Sequence, residues 1–183
     1  MGIIEGAIKK IYAISTGNPL KKVILTPIVG GSFAVATALF IIIPIQIEKV
    51  YNIPAFWNAP VNYIIGLPLI ILGALLMLWT SLIFFFKHGT PVPVNPPPKL
   101  ITTGPYTFSR NPMHGGMILL MFGFGFYYCS LLAVFIFIPL YILIDTWILR
   151  NIEEPELAKR LGDEYVKYKE RTPMFLGWKK RKT

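Results

Sequence analysis

The chain has 183 residues, of which 54% are hydrophobic and 15% charged, and its formal charge is +9. That composition does not suit a soluble globule of this size and points to lipid as the solvent. The cationic excess sits in the terminal segments beside apolar spans, which favours an anionic membrane surface over nucleic acid as partner, while one cysteine and two histidines rule out an intrachain disulfide framework and argue against a zinc site.

Residues Met1 to Lys22 open with Ile3, Ile4, Ala7, Ile8, Ile11 and Tyr12 at helical spacing, with Lys9 and Lys10 on another face. This predicts an interfacial amphipathic segment, or a frayed tail before the first span. The basic, Gly17- and Pro19-broken start, followed by a run too long for a signal h-region, reads as a retained span rather than a cleavable leader.

Val23 to Ile47 is an apolar run of 25 residues, more than the roughly 20 that a helix needs to cross a bilayer core. Pro54, Pro60, Tyr51, Phe56 and Trp57 then mark a short interfacial loop. Val61 to Phe86 predicts a second span, with Pro68 a candidate kink.

Lys87 to Pro112 is the long polar connection. Its run Thr90-Pro-Val-Pro-Val-Asn-Pro-Pro-Pro predicts an extended, polyproline-like path. Met113 to Leu149 is apolar for 37 residues, roughly 55 Å of helix at about 1.5 Å per residue and so nearly two crossings. A helical hairpin turning near Tyr127, Tyr128, Cys129 and Ser130 follows. Cys129 is then a packing or turn residue rather than a nucleophile.

The expected fold is therefore an all-α integral membrane protein forming a single membrane domain. It comprises an interfacial segment 1–22, about four spans over 23–149 with a polar loop 87–112, and a polar helix with a basic tail over 150–183. Lysines and arginines number four before the first span, one in the first loop, three in the central loop, none in the hairpin turn and ten from Arg150 onward. The positive-inside rule thus makes it multi-pass with both termini and the central loop cytoplasmic. Glu153-Glu154-Pro155-Glu156 starts the polar helix, because acids and an early proline suit a helix N-terminus. Leu157, Leu161, Tyr165 and Tyr168 give it one apolar face. Gly162 is a candidate break and Thr172-Pro173 the end, and Lys179 to Lys182 would touch anionic lipid.

Two polar clusters flank the hairpin: Arg110 to His114 at its start and Glu153-Glu154 at its end. An arginine fork beside two carboxylates, under a lid bearing tyrosines, suits a zwitterionic cofactor. Each residue also has a plain structural reading: Arg110 and Lys99 as membrane-surface anchors, the glutamates as helix-starting acids, the tyrosines as packing. Asp145, an ionisable group within a span, lines a site, snorkels to water or pairs with Arg150.

Three blocks carry a resemblance: Leu100-Ile101-Thr102-Thr103-Gly104-Pro105-Tyr106, then Arg110-Asn111-Pro112-Met113-His114-Gly115-Gly116, and finally Glu153-Glu154 followed by Leu157, Leu161-Gly162-Asp163-Glu164-Tyr165, Tyr168 and Pro173. Over Gly89 to Pro173 the chain resembles the isoprenylcysteine carboxyl methyltransferase and phospholipid methyltransferase superfamily of integral membrane enzymes. The resemblance implies S-adenosylmethionine as cofactor in a cytoplasmic pocket and a lipid-linked or hydrophobic acceptor arriving from the bilayer. Thr102, Gly104, Pro105, Tyr106, Arg110, Asn111 and His114 would form one wall. Glu153, Glu154, Tyr165 and Tyr168 would form the other, with Arg110, His114 and Glu154 as candidate catalytic residues. Arg110→Ala and Glu154→Ala would then lose cofactor binding without unfolding.

Two positions depart from the pattern: the usual Arg-His-Pro is Arg110-Asn111-Pro112, and the usual tyrosine two residues after the proline is His114. A carboxylate or thiolate acceptor needs no base, whereas an amine must shed a proton, for which His114 or a glutamate is the candidate. Two other classes stand beside this reading. One is an NADPH-dependent membrane reductase acting on a sterol or isoprenoid; the other is a non-catalytic membrane assembly protein.

Overall fold

The structure is a computed structural model, and it describes residues 2–55 and 57–175. Phe56 and the basic tail Lys179 to Lys182, both singled out above, lie outside the described residues. Among the described residues there is no strand. The α-helices are α1 (Gly2–Ser15), α2 (Pro19–Val50), α3 (Val61–Phe86), α4 (Pro112–Tyr127), α5 (Ile138–Ile148), α6 (Glu154–Leu161) and α7 (Asp163–Arg171). Wider i→i+5 turns run over Ala133–Phe137 and Leu149–Glu153, so Ala133–Leu161 is one helical rod of 29 residues.

Three helical segments are long and apolar enough to cross a membrane: Pro19–Val50, Val61–Phe86 and Ala133–Leu161. The sequence located the second to the residue. The first is longer than expected, because its ends continue helically through Pro19 to Lys22 and through Glu48 to Val50. Helix α4 has 16 residues, about 24 Å at 1.5 Å per residue, against a hydrocarbon core of roughly 30 Å. Side chains such as Ile64, Leu72, Leu75 and Leu143 stand exposed on the long helices, as expected where lipid replaces water.

The chain divides into two compact units. One is drawn from Met1–Gly31, Trp79–Pro112 and Thr146–Thr183, the other from Ser32–Leu78 and Met113–Asp145.

In the second unit, glycines bring α3 and α4 into backbone contact. A Cβ on Gly73 would lie 2.6 Å from the Gly116 carbonyl oxygen, one on Gly123 2.7 Å from the Ile70 nitrogen, and one on Gly66 2.8 Å from the Tyr127 nitrogen. Such approach is how helices associate in lipid, where burial of apolar surface drives nothing. The expected hairpin is present: α4 ends at Tyr127, and Cys129 turns the chain with a φ of 57°. The end of α4 would leave orphan carbonyls. Trp57 Nε1 donates to the Phe126 carbonyl at 2.9 Å and Asn62 Nδ2 to that of Tyr127 at 3.1 Å. Glu48 Oε1 accepts from the Leu132 amide at 2.7 Å as the second arm begins. Ile41, Met121, Ile138 and Tyr141 form the core.

In the first unit, α1 packs on α6. Ser15 Oγ donates to Glu156 Oε1 at 3.1 Å, and Lys159 Nζ sits 4.4 Å from the centre of the Tyr12 ring. Glu156, 2% exposed, also accepts from Arg160 Nε at 3.0 Å. The proline-rich segment is not extended. Thr90 donates to the Asn95 carbonyl through both its amide and its hydroxyl at 2.8 Å, and the Asn95 amide returns to Val92. Pro91 and Pro93 therefore lie within a closed turn whose Val94 is buried; Thr90 and Asn95 supply the hydrogen bonds that proline cannot donate.

Candidate functional site

The site of the first unit begins at a short 3-10 turn, Gly104–Thr107. Gly104 has φ +62°, which favours glycine at the turn, and a Cβ there would lie 2.9 Å from the tip of Ile83, Cδ1, which would have to shift. Pro105 and Tyr106 are buried by this turn while Thr102 remains exposed. The Tyr106 ring packs edge-on against Phe84.

The loop then zips onto the chain that follows α7. The Arg110 amide donates to the Pro173 carbonyl at 2.8 Å. The Met174 carbonyl accepts from the Asn111 amide at 3.1 Å, from Asn111 Nδ2 at 3.2 Å and from Ser109 Oγ at 3.0 Å. Tyr168 Oη closes the other side, donating to the Tyr106 carbonyl at 2.7 Å and reaching that of Ser109 at 3.3 Å. Asn111, which stands where the family's histidine is usual, thus fastens the loop to the C-terminal segment.

Arg110 is the centre of the arrangement. Nε and Nη2 donate to Glu154 Oε1 at 3.0 and 2.5 Å, and Nη1 to the carbonyls of Lys169 at 2.9 Å and Thr172 at 2.6 Å. Glu154, 3% exposed, receives Lys169 Nζ on its other oxygen at 2.6 Å. One buried carboxylate therefore holds two cations. The Arg110 and Glu154 side chains are 11% and 4% exposed, that of Lys169 46%. The turn over Leu149–Glu153 directly precedes Glu154, and widened turns of this kind recur at functional sites.

The phenols are kept neutral. Burial pushes the Tyr106 and Tyr165 pKa values well up; Tyr168 and then Glu153 add to the first, Glu154 is the largest charge acting on the second, and Arg110 partly opposes the rise. Burial also raises Tyr168 to about 12, against the lowering effect of Arg110. Glu153 is thus close enough for its charge to act on both Tyr106 and Tyr165.

His114 lies in the second unit. Its Nδ1 is 3.0 Å from both carboxylate oxygens of Asp145, and its ring meets Phe33 edge-on at 5.8 Å. Asp145 therefore pairs with His114, which was not among the partners considered from sequence. The signal was present: the two residues stand equally far before Cys129 and after Ser130, so a turn centred there brings them level.

The structure gathers Gly104, Pro105, Tyr106, Arg110, Asn111, Glu153, Glu154, Tyr165 and Tyr168 within one unit. Sequence reasoning passed over Lys169, Ser109 and the carbonyls of Thr172 to Met174. Lys169 belonged to an ordinary charged helix face, and main-chain acceptors carry no residue signature.

Among known proteins, a model of the family described as phospholipid methyltransferase matches residues 61–164, a stretch that includes α3, the polar loop, the hairpin, Glu153, Glu154 and all of α6. Comparisons with curated proteins and with solved structures returned no match. With more than half of its length matched, the chain belongs to the phospholipid methyltransferase family.

Proposed function

We propose that the protein is an S-adenosylmethionine-dependent methyltransferase acting on a lipid-linked acceptor at the cytoplasmic membrane face. The observation that carries this reading is the Arg110–Glu154–Lys169 cluster, lidded by neutral tyrosines, in a chain of a methyltransferase family. The donor set fits the charged end of this zwitterionic cofactor. Lys169 keeps nearly half of its side chain exposed and can meet a carboxylate, Glu153 can meet an ammonium, and the three phenols remain O–H donors at neutral pH.

When bound, S-adenosylmethionine supplies a methyl group on a positively charged sulfur. The protein's part is to align, to hold charge and to exclude water. Glu154 anchors Arg110 and Lys169, so both cations are preorganised. Tyr168 and Asn111 fasten the loop to the C-terminal segment, which keeps the 3-10 turn at Gly104 in place.

Calorimetry on the purified full chain in lipid nanodiscs tests the cofactor. S-adenosylmethionine binds and NADPH does not, and Lys169→Ala weakens binding about tenfold or more, the worth of one hydrogen bond to a charged group. Unchanged affinity in both Lys169→Ala and Glu153→Gln refutes the site. Incubation with methyl-labelled S-adenosylmethionine and a native lipid extract then identifies the labelled acceptor.

A further inference from the structure

Within the first unit, the end of α3 builds a cleft that shares no residue with the Arg110–Glu154–Lys169 cluster. Phe85, Phe86, His88, Gly89, Thr90 and Asn95 line it, and its volume is about 360 Å³, a size at which ligand sites occur. Its floor is main chain. A Cβ on Gly89 would overlap the Pro97 nitrogen, so only glycine lets the end of α3 run this close to the proline-rich turn. The helix closes in a Schellman cap: the His88 amide donates to the Phe85 carbonyl and the Gly89 amide to that of Phe84, both at 3.1 Å. The left-handed residue of such a cap is usually glycine. Here it is His88, with φ 56°, so the chain keeps an imidazole where glycine would relieve the backbone, and strain of this kind accompanies binding sites.

Neither the His88 ring nor the Asn95 side-chain amide hydrogen-bonds to another described residue, so both bring N–H donors to the cleft. Exposed Lys87 adjoins them, and none of the six lining residues is an acid. Phe85 and Phe86 meet edge-on at 5.7 Å and are 74% and 71% exposed, which sets an apolar wall beside the donors. Helix α3 has 26 residues, about 39 Å at 1.5 Å per residue, against a hydrocarbon core of roughly 30 Å. Centred on that core, it carries Phe86 about 4 Å past the edge, into the headgroup layer where phosphate esters lie.

We infer that this cleft binds a membrane phospholipid, with its phosphate on His88 and Asn95 beside the Lys87 charge and its acyl chains along Phe85 and Phe86. The site recognises the phosphate and the chains together, and it does not rest on the methyltransferase reading.

Native mass spectrometry of the full chain, stripped of lipid in a maltoside detergent, tests this by titration with dioleoylphosphatidylglycerol, which has the phosphate but no nitrogen to be methylated. One molecule is retained per chain, and neither dioleoylglycerol nor inorganic phosphate is retained in its place. His88→Gly and Asn95→Ala each weaken the binding about tenfold or more, as loss of a hydrogen bond to a charged group does. His88→Gly also raises the thermal midpoint of the lipid-free protein, because glycine takes the left-handed position freely; a merely structural histidine would lower it. The double variant Lys9→Gln with Lys10→Gln, on the exposed face of α1, leaves the affinity unchanged. Binding indifferent to both His88→Gly and Asn95→Ala overturns the proposal, as does equal retention of dioleoylglycerol or of inorganic phosphate. An equal loss in the double lysine variant overturns it in favour of diffuse attraction to a basic surface.

Discussion

Arg110 shows how a residue picked out for a ligand can be committed to its own chain. Its Nε, Nη1 and Nη2 donors go to Glu154 and to two carbonyls, so the guanidinium holds the C-terminal helices to the loop. Removing one partner of a buried pair strands the other charge. Arg110→Ala and Glu154→Ala therefore destabilise the protein by about 3–5 kcal/mol, measured as denaturant unfolding in detergent, and neither is the clean binding variant that sequence reasoning expects. Tyr168 gives a subtler test. Its native pKa is raised from 10.0 to about 12, so above pH 10 the unfolded chain loses a proton that the native state keeps. Its contribution is complete below pH 10 and disappears as pH rises through about 12. Tyr168→Phe flattens this alkaline limb of the stability profile and costs about 1 kcal/mol at neutral pH through the lost hydrogen bond. At this scale the sequence made residue types legible, with opposite charges and phenols in two blocks. It did not reveal that Glu154 would be shared with Lys169, because that pairing depends on how α7 lies across Glu154.

At the scale of elements, the α3–α4 contact is written in glycines seven residues apart: Gly66 and Gly73 on one helix, Gly116 and Gly123 on the other. Gly73→Leu forces the backbones apart at a cost of at least about 1–3 kcal/mol, the usual range for overpacking. Gly115→Ala is the control: nothing lies within 4 Å of its Cβ position, and the added methyl favours the helix by up to about 1 kcal/mol. Thermal unfolding of both variants in the same detergent separates close approach from helix propensity. The first two spans were legible because lipid demands long uncharged helices, and the hairpin because 37 apolar residues exceed one crossing; against the expected count of about four, three helices are long and apolar enough to cross. The break at Gly162, where φ is +61°, was legible, but the expected helix start at Glu153-Glu154 was not observed: helical backbone runs unbroken from Ala133 to Leu161. The proline-rich turn was not legible, because its closure depends on Thr90 and Asn95 meeting across the prolines rather than on the prolines themselves.

For the whole molecule, the three long apolar helices make this a multi-pass membrane protein. The topology proposed from the charge count, with α4 as a further, short crossing and the positive loops inside, would put the hairpin turn at Cys129 on the outside. An impermeant thiol reagent applied to intact cells is then expected to label Cys129, while a cysteine placed by Lys99→Cys in a Cys129→Ser background stays protected until the cells are opened; the reverse pattern inverts the topology. The sequence by itself determined the solvent, the helices, the hairpin and the family resemblance, because each follows from local composition and from the order of short motifs. Tertiary structure alone decided who partners whom: Glu154 with both Arg110 and Lys169, Asn111 with the Met174 carbonyl, His114 with Asp145. The physical reason is that hydrogen bonds and ion pairs act over about 3 Å, and only the folded backbone brings groups 15 to 63 residues apart to that distance.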